Sequence, residues 1–181
     1  MTRQKQSQNK FRNIIRNDRM DIAYSMITAF VVMLFCTRSS FLYAFNNLDD
    51  ANSYFSMGKA IMNGMVPYRD LFDQKGMLLY VLYGIGYLIS RRSFTGLFII
   101  EVLMAGMTTL AMLKTAQLYI RRTSSWLLTL PVLAAVYASR AFWWGGSAEE
   151  MMVPFLSWGL FLQIRDFKKG YPQPAGYRMV L

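Results

Sequence analysis

The stretch "MLLYVLYGIGYLIS", residues 77–90, decides how this chain is arranged. It is almost wholly apolar, yet its fourteen residues fall short of the roughly 20 that a helix needs to cross a bilayer core. Its neighbours come closer. Apolar segments at about 22–45, 94–119, 125–142 and 151–164 approach or reach spanning length, and the charges gather between them. With 54% hydrophobic residues over 181 positions, the pattern predicts an all-α, polytopic transmembrane protein in place of a soluble domain.

Counting charge tests whether 77–90 crosses. If it does, with the N-terminus cytoplasmic, nine of the 20 Lys and Arg residues fall inside and eleven outside. If it lies in the interface, seven remain outside (Arg38, Lys59, Arg69, Lys75, Arg91, Arg92 and Arg140) and thirteen fall inside. The positive-inside rule prefers the second arrangement. The chain is therefore expected to be a multi-pass protein of the cell membrane, N-terminus inside. Residues 1–21 form a basic cytoplasmic tail, and 22–181 form a transmembrane region. Its first external loop, about 46–93, carries juxtamembrane helices, and its second spans about 143–150.

Other classes fall away. The net charge of +10 sits at the flanks of apolar segments, so it marks membrane orientation and no nucleic-acid partner is expected. The basic start lacks a small-residue cleavage site before Asn46 and reads as an anchor. A single cysteine, Cys36, excludes an intramolecular disulfide, and the lack of histidine excludes His-based zinc sites and a Ser-His-Asp triad. The ending "GYRMVL" reads as the start of another helix, so an N-terminal portion of something longer is expected.

An interfacial 77–90 puts six of the ten acidic residues on one side: Asp49, Asp50, Asp70, Asp73, Glu149 and Glu150. From Ala51 onward, Ala51, Tyr54, Phe55, Gly58, Met62 and Met65 follow helical spacing, and Gly64 suits a helix end. One of Asp49 and Asp50 is expected to cap this helix, and the other is available for chemistry. "SAEE" at 147–150 fits a capping box with Ser147 as cap and Glu150 reaching back, which leaves Glu149 as the better chemical candidate. In "VPYRDLFDQKG", Arg69 and Lys75 either pair with Asp70 and Asp73 or bind a phosphate, which Arg grips bidentately and Lys meets as a point charge. Glu101, inside an apolar segment, is read as a structural group near the interface. Trp143 and Trp144 read as an interfacial aromatic belt.

Taken together, "DDANSYFSMGKAIMNGMVPYRDLFDQKG" and "GGSAEEMMVPF" resemble the N-terminal half of the bacterial GT-C glycosyltransferases of the protein-mannosyltransferase-like family, related to aminoarabinose transferases. The resemblance runs from about residue 20 onward. It implies an enzyme that moves a sugar from a polyprenyl-phosphate donor to an acceptor glycan, lipid or protein on the outer face, with inversion. It implies that Asp50 is the first-loop acidic residue, that Glu149 or Glu150 is the second-loop one, and that Lys75 is the basic residue of the family's pattern. The proline common after that basic residue is absent here, where the sequence reads Lys-Gly-Met. Asp50 is then the candidate base, Glu149 orients the acceptor or a divalent cation, and Lys75 and Arg69 meet the phosphate. A non-catalytic or truncated membrane subunit, or a transporter or lipid-handling protein, is the competing expectation.

Overall fold

The computed structural model describes residues 2–142 and 145–170, with side chains from residue 17 on. Trp143, Trp144 and the "GYRMVL" ending lie outside the described residues. Within them the chain forms six helices: α1 (Thr2–Cys36), α2 (Asp49–Met62), α3 (Met77–Ile89), α4 (Thr95–Gln117), α5 (Arg122–Tyr137) and α6 (Ala148–Lys168). Extended pairing among the described residues is limited to a single bridge between Pro67 and Leu71. Two helical stretches are long and apolar enough to cross a membrane, Asn17–Cys36 and Thr95–Gln117. The α3 helix exists and is short, at 13 residues.

The first apolar segment ends sooner than its hydropathy suggests. Helix α1 stops at Cys36, and residues 37–48 turn instead of continuing to Phe45. Hydroxyls explain the stop. Ser40 Oγ donates to the Leu34 carbonyl at 2.8 Å, satisfying a helix-end acceptor, while Thr37 and Ser39 turn inward to Glu101.

Helix α2 buries Ala51, Tyr54, Met57 and Gly58 along one stripe. Its end follows the expected glycine logic. Gly64 takes φ 89°, its N–H reaches the Ile61 carbonyl at 3.0 Å, and the Met65 N–H reaches Ala60 at 3.0 Å. Its start corrects the sequence reading. Leu48 occupies the cap position with no side-chain cap bond, so neither Asp49 nor Asp50 caps the helix. Both lie in its first turn, where their charge complements the helix dipole.

Close backbone approach joins α2 to α3. A Cβ on Gly58 would stand 2.5 Å from the Gly84 nitrogen, so a side chain there would force the helices apart. Helix α4 is the hub, packing against α1, α3, α5 and α6. Its apolar stretch is 67% buried against 33% for that of α1. One core cluster joins α1, α4 and α5 through Val32, Met33, Phe98, Ala105, Leu133 and Tyr137. The other joins α2, α3, α4 and α6 through Tyr54, Tyr80, Tyr83, Leu97, Ile100 and Met151.

Candidate functional site

The two acidic loops meet at a two-glycine turn. Gly145 and Gly146 have φ 72° and 82°, a left-handed path that glycine adopts without strain. Space forbids anything larger: a Cβ on Gly145 would lie 1.8 Å from Thr37 Oγ1, and one on Gly146 would lie 2.6 Å from the Tyr83 hydroxyl. Asn46 Nδ2 donates to the Gly145 carbonyl at 3.1 Å, and the Tyr83 hydroxyl donates to the Gly146 carbonyl. Residues from both loops are thereby bound to one another.

The turn leads into α6, and here the two glutamates part. Ser147 caps the helix as expected, accepting the Glu150 N–H at 3.1 Å. The Glu150 carboxylate reaches back toward the turn, where the Gly146 and Ser147 N–H groups face it. Its Oε2 accepts the Gly146 N–H at 2.7 Å, and the side chain is fully buried. Burial pushes the Glu150 carboxyl well above the ordinary glutamate range, against backbone N–H groups of Gly146 and Ser147 that pull it down. Its Oε1 is enclosed and has no hydrogen-bond partner. Glu149, one residue earlier, is exposed.

Glu101, read as a structural group, faces neighbouring segments of the chain and not water. It is fully buried, accepting the Thr37 hydroxyl at 2.7 Å and the Ser39 hydroxyl at 2.9 Å. It stands close enough to Glu150 for the two carboxyls to influence each other. Sequence spacing did not bring this pair together, because 49 positions separate two helices that meet only through packing. The available signal was the lone acid in an apolar segment.

On the surface side, Asp50 lies exposed in the first turn of α2 and accepts the Tyr54 hydroxyl at 3.2 Å. Tyr54 is itself buried. Burial raises its phenol well above the usual range, and the charges of Asp50, Asp73 and Glu149 raise it further. Tyr54 thus marks the place where acids from the two loops gather. Asp73 stands near Ser53, whose hydroxyl donates to it at 3.4 Å.

Between α3 and α6 lies a cavity of about 270 Å³, lined by apolar side chains such as Leu79, Leu82, Met152 and Phe155. Two charged residues line it as well, Lys75 and Glu149. The Lys75 backbone is held by its N–H to the Tyr80 hydroxyl at 2.9 Å and by its carbonyl to the Tyr68 hydroxyl at 2.7 Å. Arg69 is placed elsewhere. It grips Asp70 bidentately at 2.7 and 2.9 Å and holds that carboxyl below the usual range. It does not line the cavity.

No family model, curated protein or solved structure matches the chain. The chemistry of the site therefore stands on its own geometry. Among the described residues, no three Asp, Glu, Cys or His side chains converge as a metal site. What the arrangement offers is an apolar cavity carrying a cation and a carboxylate, with a second carboxylate, Asp50, at the adjoining tyrosine.

Proposed function

We propose that this chain carries the first catalytic loops of a multi-pass membrane glycosyltransferase that uses a polyprenyl-phosphate sugar. The single observation that carries the reading is the shared cavity of Lys75 and Glu149. It pairs an apolar slot suited to a prenyl chain with a cation suited to its phosphate. The meeting of both acidic loops at Gly145–Gly146 supports the topology in which 77–90 stays on one side.

Two further features support a membrane-embedded bundle. Leu127, Leu130, Leu156 and Leu160 expose apolar surface along α5 and α6, as lipid-facing helices do. At the end of the bundle opposite the acidic loops, Lys114 and Arg122 bind Asp21, and Lys168 donates to the Leu118 carbonyl. This gathers cations from three segments at the end assigned to the cytoplasm.

In the proposed reaction the acceptor hydroxyl or amine attacks the anomeric carbon and passes its proton to Asp50. The new bond to carbon forms as the bond from carbon to phosphate oxygen breaks. The electron pair leaves with the phosphate, whose charge Lys75 offsets. Glu149 orients the acceptor across the cavity mouth. Arg69, committed to Asp70, serves the loop and not the phosphate.

The test is sugar transfer by the full-length protein in membranes, assayed against a panel of polyprenyl-phosphate sugars. Asp50→Asn should abolish transfer and leave membrane insertion intact. Transfer retained by that variant removes Asp50 as base. A wild-type protein inactive with every donor would favour a non-catalytic subunit.

A further inference from the structure

A second pocket lies where the turn after α1 meets the start of α4. It has a volume of about 170 Å³, and Arg38, Ser39, Tyr43, Arg92, Ser93 and Thr95 are among its lining residues. No carboxylate lines it. The two arginines come from segments far apart in the chain, yet both face this space. Arg38 is half-buried, so its charge acts through a medium less polar than water.

Local structure strengthens the positive field. Helix α4 begins at Thr95, and its positive end points toward the pocket-lining turn. The hydroxyls of Ser90, Ser93 and Thr95 form a chain at 2.7 and 2.9 Å that leaves one O–H to donate, and Ser93 and Thr95 line the pocket with the two arginines. The rim is apolar: Phe41 and Phe45, which also line the pocket, are 62% and 70% exposed. A soluble anion has no use for such a rim, whereas the glycerol backbone and upper acyl chains of a lipid do.

We propose that this pocket binds the phosphodiester headgroup of an anionic phospholipid, with Arg38 and Arg92 on the phosphate and the acyl chains lying over Phe41 and Phe45. The site is separate from the Lys75 cavity. It is joined to the buried acid pair through Ser39, which lines the pocket and donates to Glu101. Lipid occupancy would thereby steady the turn on which Glu101 and the two-glycine loop depend.

The test uses the full chain in neutral maltoside micelles, with bound lipid read by native mass spectrometry. The probes are phosphatidylglycerol, phosphatidylcholine and inorganic phosphate. Phosphatidylglycerol should be retained over phosphatidylcholine. Arg38→Gln with Arg92→Gln should weaken its binding about tenfold, as loss of charge-assisted phosphate contacts does. Arg92→Gln alone, in an exposed bend, should weaken it measurably and covers the case in which the double variant fails to fold. Arg91→Gln removes an equal charge from an exposed residue outside the pocket and should stay within about twofold of wild type. Equal loss in Arg91→Gln, or equal retention of phosphatidylcholine, would overturn the site. Arginine-dependent binding of inorganic phosphate without retention of phosphatidylglycerol would overturn the lipid assignment. None of these readouts depends on sugar transfer.

Discussion

The Gly146 N–H donates to Glu150 Oε2 across 2.7 Å, and this bond fixes which way two adjacent glutamates point. Successive residues on a helix diverge by about 100°. With Glu150 drawn inward to the glycine turn, Glu149 is left facing the cavity that Lys75 also lines. One carboxylate holds the loop and its neighbour is free for surface chemistry.

That division predicts opposite phenotypes. Glu149→Gln should lower sugar transfer by roughly a hundredfold, the order expected for loss of a positioned acid–base or orienting group, without shifting the unfolding temperature. Glu150→Ala should lower the unfolding temperature, because it leaves the Gly146 N–H buried and unpaired. Transfer assays paired with thermal unfolding in detergent separate the two. An unaltered rate in Glu149→Gln would remove it from the site.

Glu150 also predicts a pH dependence of stability. Its folded pKa is raised by burial above the ordinary glutamate value. Between those two values the folded chain binds more protons than the unfolded one, so stability falls as pH rises through the window. The unfolding temperature should be higher near pH 5 than near pH 8, and Glu150→Gln should flatten that slope. Glu101 and Tyr83 stand near the same carboxyl and remain in the variant, so some slope persists. Asp70 acts with the opposite sign and in a lower range: Arg69 depresses its pKa, and its contribution is lost as pH falls through the depressed value. An unchanged slope in Glu150→Gln would show that the buried pair does not govern it.

Much of the architecture was legible because it is local. The α2 stripe through Ala51, Tyr54 and Gly58, its Gly64 ending, the short α3 and the Ser147 cap all follow from spacings within a few residues, whereas Met65, expected on the stripe, falls past the helix end and is exposed. What spacing could not supply was contact between distant segments. The end of α1 at Cys36 depends on Thr37 and Ser39 finding Glu101, which sits more than sixty positions away. The aspartate cap failed for a related reason. Asn46, buried against Ser39 and Gly145, fixes the entry to α2 by accepting the Leu48 N–H at 3.0 Å, and Asp49 and Asp50 follow in the first turn. For the site, residue types pointed to Lys75 and Glu149 as candidates. Their common cavity appears only when α3 packs beside α6 around the α4 hub.

Lys75 and Arg69 should separate in the same way. Lys75→Met keeps the apolar stem and removes the charge at the cavity, so KM for a polyprenyl-phosphate donor should rise and kcat should fall. Arg69→Met breaks an exposed pair with Asp70 outside the cavity and should leave both constants close to wild type. Steady-state kinetics with the active donor decides. A larger defect in Arg69→Met than in Lys75→Met would move the phosphate contact to the turn.

At the other end of the bundle, Asp21 predicts a stability effect with no direct part in chemistry. Its carboxylate is buried and accepts Lys114 Nζ at 2.8 Å, Gln117 Nε2 at 3.2 Å, Arg122 Nε at 3.0 Å and Trp126 Nε1 at 3.0 Å. These donors belong to the end of α4 and the start of α5, so one side chain of α1 ties three helices together. Removing its charge leaves two cations facing each other with a weaker acceptor between them. Asp21→Asn should therefore cost about 3 kcal/mol, near the lower bound for breaking a buried ion pair, because both cations retain partial access to solvent. Asp18 also meets Lys114, at 2.6 Å, but its side chain is 53% exposed. Asp18→Asn should unfold with wild-type stability, since an exposed ion pair contributes little. Denaturant or thermal unfolding of both variants in detergent tests the contrast, and equal losses would show that the clasp does not centre on Asp21. The donor KM of Asp21→Asn, measured below its unfolding transition, should match wild type, because the clasp engages the C-terminal end of α4 whereas α3, beside the Lys75 cavity, packs against its N-terminal end.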